Sequence, residues 1–142
     1  MREFAVIGMG LVFGLVNFLG VIGLRNQELP VGWQNFYRMG KVLTDPQFEG
    51  AVIACRKPLL LHVVSGRRCA HYRWGAPDEV IRGLEEDGVT HVLAANIGYS
   101  ADHNYLVPTI RAHPTRFHPI VPQFLHPGGE AVLFRFTKGD GG

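Results

Sequence analysis

Charge is scarce in this sequence, and over residues 4–24 it is missing altogether. Other signals are missing too. No Gly-x-Gly-x-x-Gly or Gly-x-x-x-x-Gly-Lys-Ser/Thr loop follows any apolar run, which excludes the common backbone cradles for nucleotide phosphates. The seven histidines, His62, His71, His91, His103, His113, His118 and His126, show neither the His-Glu-x-x-His arrangement nor another recognised ligand spacing. Only two cysteines occur, Cys55 and Cys69, and they do not form a Cys-x-x-Cys pair. Nothing here calls for a metal or another cofactor. Ser65 lacks the Gly-x-Ser-x-Gly elbow of a nucleophilic serine. The formal net charge is only +2 and the basic residues are scattered, so a nucleic-acid partner is not expected. No repeat, low-complexity stretch or long block of like charge breaks the chain.

What is present begins with the uncharged run itself. Its 21 residues would make a helix roughly 30 Å long, the thickness of a bilayer's hydrocarbon core. A signal peptide has a shorter apolar core, about 7–15 residues, and a small-x-small cleavage site. Here Arg2 is offset by Glu3, and Gly23-Leu24-Arg25-Asn26 offers no such site. The sequence thus predicts a transmembrane helix over residues 1–25 and a single-pass protein of the cell membrane. Arg2 and Arg25 lie on opposite flanks, so the positive-inside rule leaves the topology open. Gly10, Gly14 and Asn17 fall on one helical face. They suit close packing against other transmembrane helices, or else reflect the ordinary glycine content of membrane helices.

About 110 residues follow, enough for one domain with a real core. Residues 26–46 carry Trp33, Phe36, Tyr37, Gly40 and Leu43 at helical spacing, and Asp45-Pro46 stops the pattern. This predicts a juxtamembrane amphipathic helix, with Trp33 and Tyr37 at headgroup level, in the core, or both. Residues 47–137 then alternate. A wholly apolar strand at 51–55 precedes a helix at 58–64, ended by Ser65-Gly66. A strand at 69–72 precedes a helix opened by Pro77 and closed by Gly88. A third strand at 90–95 leads to a helix that Pro108 delays or kinks. Residues 117–121 and 131–137 read as an antiparallel pair joined through Gly128-Gly129, and 138–142 as a flexible tail. The expected fold is α/β, a transmembrane helix followed by a small Rossmann-like three-layer sandwich with mainly parallel strands and a C-terminal β-hairpin.

Ligands of open parallel sheets bind beyond the carboxyl ends of the strands. Arg56 and Lys57 follow the first strand, Arg73 the second, and Asn96, Tyr99 and Ser100 the third, while Arg67 and Arg68 enter the second. These five cations are the candidate contacts for phosphate or for membrane lipid headgroups; the plain alternative is that they are solvated. No catalytic residue emerges. Cys55 beside Arg56-Lys57 is expected to have a lowered pKa but has no neighbouring histidine in sequence. Asp78, Glu79, Glu85, Glu86 and Asp87 read as a solvated helix face. The two cysteines suit either a disulfide or small buried side chains.

The order of segments also resembles a known family. The apolar run is followed by Trp33-Gln34-Asn35-Phe36-Tyr37-Arg38-Met39-Gly40, then by Cys55-Arg56-Lys57-Pro58, Ser65-Gly66-Arg67-Arg68, a Glu-rich helix and Tyr105-Leu106-Val107-Pro108. This is similar to the C-terminal end of bacterial multi-pass glycosyltransferases related to the dolichyl-phosphate-mannose protein mannosyltransferases. Those enzymes have a last membrane helix followed by a small extracytoplasmic α/β domain. Their catalytic acidic residue lies in an early loop that has no counterpart here. The resemblance implies a non-catalytic accessory domain, facing outward, that caps or positions a lipid-linked or acceptor substrate beside a catalytic glycosyltransferase subunit. The rival reading is a stand-alone membrane-bound interaction module.

Overall fold

The computed structural model describes residues 28–120 and 129–139. The predicted transmembrane helix, with Gly10, Gly14 and Asn17, lies outside them. Among the described residues no helix is long and apolar enough to cross a membrane.

The elements follow in the order α1 (Val31–Val42), a 3-10 turn (Pro46–Phe48), β1 (Val52–Ala54), α2 (Pro58–Ser65), β2 (Arg68–Ala70), α3 (Pro77–Glu86) and β3 (His91–Ala95). A π-helical turn (Asp102–Leu106), α4 (Val107–Ala112), a second 3-10 turn (Pro114–Arg116), β4 (Phe117–Ile120) and β5 (Ala131–Phe136) complete them. Local chemistry explains several boundaries. Pro58 and Pro77 occupy first-turn positions where no N–H is needed. Glu79 reaches back to accept the Ala76 N–H at 3.2 Å, one half of a capping box. Gly66 ends α2 with φ 68°, a left-handed conformation that costs glycine nothing. The π turn ends two residues before Pro108, which is the second residue of α4. Proline there lacks an N–H and would crowd the carbonyl one turn back, so the helical path over 100–112 widens instead of breaking.

Among the described residues five strands form one sheet in the order β2-β1-β3-β5-β4. β1 is parallel to both β2 and β3, whereas β5 is antiparallel to both β3 and β4. The expectation of mainly parallel strands is therefore corrected: the sheet is mixed, with two parallel and two antiparallel pairs. β5 is apolar but for Arg135, and it adds beside β3 through a five-residue register from His91↔Arg135 to Ala95↔Ala131. The parallel ladders are shorter, since β1 and β2 have three residues each.

Helices cover both faces. On one, Phe36, Met39 and Leu43 of the α1 segment and Leu61 of α2 pack on Ile53, Leu93 and Leu133. On the other, Val80, Ile81 and Leu84 of α3 and Leu106 of the π turn pack on Val52, Ala54, Val92 and Phe136. Alternate residues of each strand thus serve opposite cores. Trp33 is partly buried against the first core and contacts Phe36 edge-on at 5.9 Å. Core packing, one of its two compatible sequence readings, is therefore present. Cys55 and Cys69 are free thiols.

Candidate functional site

Connections decide where a crevice opens. β1 leads into α2 on one face of the sheet, while its neighbour β3 leads into the 100–112 helical path on the other. Adjacent parallel strands whose exits diverge form a topological switch point, where open α/β sheets place their ligands. The exit of β1 supplies Arg56 and Lys57, and the exit of β3 supplies Asn96 to Asp102.

Arg56 is held by its surroundings. Its guanidinium lies 4.9 Å from the centre of the Trp74 ring and 5.1 Å from that of Tyr99. Its Nη1 is 2.8 Å from His71 Nε2. The other His71 nitrogen, Nδ1, lies 2.7 Å from the Tyr72 carbonyl oxygen, which can only accept. Nδ1 therefore carries the ring proton and Nε2 accepts from Arg56. Lys57 Nζ stands 4.3 Å above the Tyr99 ring. Trp74 in turn stacks on Tyr105, ring centres 6.0 Å apart and planes 2° from parallel. Each cation–π contact contributes about 0.5–1 kcal/mol when exposed. Among the described residues neither Arg56 nor Lys57 forms an ion pair. Arg56 Nε is buried with no hydrogen-bond partner among them. Such an orphan donor costs about 1–3 kcal/mol.

Behind this platform lies a polar pin. Asp102, buried at the start of the π turn, accepts from the Tyr72 hydroxyl and, at 3.0 Å, from the Ala95 N–H. It ties the exits of β2 and β3 together. Burial holds its carboxyl above the ordinary range, against the pull of the Tyr72 hydroxyl, the Ala95 N–H and Arg56. Burial and Asp102 likewise push the Tyr72 phenol up. At the start of α1, Gly32 lets the helix abut the loop after β3: a Cβ there would lie 1.9 Å from the Asn96 carbonyl oxygen. A cavity of about 780 Å³ opens beside Tyr99, lined also by Asn96, Ser100, Val107, Ile110 and Phe134. Its size is within the range of small-molecule sites.

The five cations singled out in sequence divide sharply. Arg56 and Lys57 meet at the switch point. Arg67 is at the other end of the sheet, where Nε donates to the Leu43 carbonyl at 2.7 Å and Nη2 to those of Thr44 and Asp45 at 2.8 and 2.9 Å. It caps the C-terminal end of α1. Arg68 opens β2 at that same end and is exposed. Arg73 folds back along α3, its stem against Gly83 and its guanidinium paired with Glu86. Cys55 is buried and its thiol is pushed up to about 12 by burial, so the lowering expected from Arg56-Lys57 does not occur.

His71, Trp74, Asp102 and Tyr105 belong to the site but were not singled out in sequence. The only signal for them was position: an aromatic and a histidine just beyond a strand end, and an acid in the helical turn after another. Among the described residues no three His, Cys, Asp or Glu side chains gather as a metal site would require. Chemically the arrangement offers two cations held on the rings of Trp74 and Tyr99, with the His71 imidazole beside one of them. In comparison with known proteins, no family model, curated protein or solved structure matches the chain.

Proposed function

We propose that this domain is a non-catalytic accessory unit that binds the phosphate-linked sugar of a lipid carrier at the β1/β3 switch point. It works at the cell membrane, on the extracytoplasmic side, beside the catalytic subunit of a polyprenyl-phosphate-sugar-dependent glycosyltransferase. Arg56 and Lys57 hold the phosphate. Trp74 and Tyr99, whose ring faces carry Arg56, Lys57 and Tyr105, present exposed ring edges to the apolar side of the sugar.

The observation that carries this reading is the pair of cations, neither of them ion-paired among the described residues, held on aromatic rings at the exit of β1. A preordered guanidinium loses little freedom when an anion arrives, and arginine matches phosphate bidentately. The membrane setting and the glycosyltransferase link rest on the sequence: the uncharged run over 4–24 and the resemblance in segment order.

Calorimetric titration of the full chain tests it, using a hexose phosphate, inorganic phosphate and the free hexose. The hexose phosphate is expected to bind tightest, and Arg56→Gln to weaken it by about tenfold, the loss of one charge-assisted contact. Equal affinity for all three probes would sink the proposal. Phosphate binding without any preference for the sugar would favour the rival reading, an interaction module with no glycosyltransferase link.

A further inference from the structure

The large exposed hydrophobic side chains are not spread over the described surface. They are Leu29, Val31, Leu59, Val63, Trp74 and Tyr99, with Leu59 78% and Trp74 56% exposed. Leu29 and Val31 lie at the start of α1, which abuts the loop after β3 through Gly32. Leu59 is in the first turn of α2, with Val63 one turn further along the same helix face. Trp74 and Tyr99 follow β2 and β3 and are joined through Arg56. Five of the six thus sit at the carboxyl end of the parallel strands. Among the described residues none belongs to the loops at the opposite end.

We infer that this end of the domain is a membrane-facing surface, which lies on a bilayer containing anionic lipid with Leu29, Leu59, Trp74 and Tyr99 at the headgroup boundary. Aromatic rings with a polar edge, aliphatic side chains and basic groups are the composition that settles at a lipid–water interface. Arg56 and Lys57 stand among the apolar groups and complement anionic headgroups, although Glu28 and Glu130 share this end. The chain itself gives the second argument. Residues 1–27 join the fold at Glu28, at this same end, and they contain the uncharged run. The inference rests on the proposed lipid-linked ligand and adds an orientation to it: the switch point opens towards the membrane, so a sugar phosphate on a lipid carrier reaches Arg56 without leaving the surface.

The test uses the full chain in vesicles of phosphatidylcholine and phosphatidylglycerol whose acyl chains carry bromine, a contact quencher. The chain has two tryptophans, so Trp33→Phe leaves Trp74 as the only emitter. Trp74 emission is expected to be quenched. A reporter at the opposite end (Trp33→Phe with Trp74→Phe and Asp87→Trp) is expected to keep its emission. Equal quenching of both, or of neither, overturns the orientation, as does quenching of the Asp87 position alone. Trp33 packs in the core, so amide hydrogen exchange of the unaltered chain supplies a second readout. Exchange at 56–60, 72–75 and 97–100 is expected to slow on anionic vesicles while 86–90 is unchanged; no difference between the two sets counts against the surface. If two copies of the chain or another protein covered the patch, protection would appear without lipid, and that also overturns it. The ligand reading fails separately: quenching of Trp74 with no hexose phosphate binding would remove the sugar site and leave the membrane face.

Discussion

Replacing Arg67 by alanine removes three hydrogen bonds from the C-terminal end of α1 in one step. The Nε bond to the Leu43 carbonyl is partly buried and charge-assisted, and is worth about 1.5–3 kcal/mol. The two Nη2 bonds to Thr44 and Asp45 are exposed and add less. The cation also complements the negative end of the helix dipole, a contribution that overlaps with those bonds. Together they suggest a loss of about 2–3 kcal/mol, which for a domain of this size lowers Tm by about 10–20 °C. Arg67→Lys should recover only part of it, because an ammonium has no planar fork to span three carbonyls. Thermal unfolding followed by circular dichroism reads both variants, and calorimetry with a hexose phosphate should find their affinity unchanged. A stability loss under about 0.5 kcal/mol, the range of ordinary surface changes, would refute the capping role. Weakened ligand binding at unchanged stability would instead make Arg67 a phosphate contact.

Other expectations follow from the same geometry. Gly32→Ala would drive a Cβ into the Asn96 carbonyl, so main chain must shift; a loss of about 1–3 kcal/mol in denaturant unfolding is expected, together with weaker hexose phosphate binding. Arg73→Ala breaks an ion pair whose two side chains are each about half exposed, and should cost less than about 1 kcal/mol with binding intact. Asp102 gives a pH signature. Its carboxyl is held above the ordinary value, so between the two values the folded chain keeps a proton that the unfolded chain has released. Its contribution to stability therefore falls as pH rises from about 4 through its native value, and is level above that. Asp102→Asn cannot titrate and should gain on the native chain across that window; a stability gap that does not move with pH would contradict this.

Much of the architecture was legible because its signals are local. A short apolar run at 51–55, prolines at first-turn positions 58 and 77, and glycines at 66 and 88 each dictate backbone geometry within a few residues. The mixed sheet was not legible. Whether β5 adds beside β3 depends on long-range pairing, and a pattern of alternating strands and helices does not say where a closing hairpin docks. The site shows the same division. Position after a strand was enough to mark Arg56 and Lys57, because the fold rule concerns strand ends. It could not reveal that Arg67 caps α1 across 24 residues of chain, nor that Tyr72 and Asp102 meet across 30. Widening of the helix before Pro108 was half visible, as a kink, since the lost N–H is a local fact and the π turn that absorbs it is not.

The most direct measurement is a backbone amide map of the full chain, recorded by NMR while a hexose phosphate is titrated in. Concerted shifts are expected at residues 55–58, 71–75 and 96–100, the three exits that meet around Arg56, and they should vanish in the Arg56→Gln, Lys57→Gln double variant. Shifts confined to the start of β2 near Arg68, or no saturable shift at any ligand concentration, would contradict a phosphate-binding switch point.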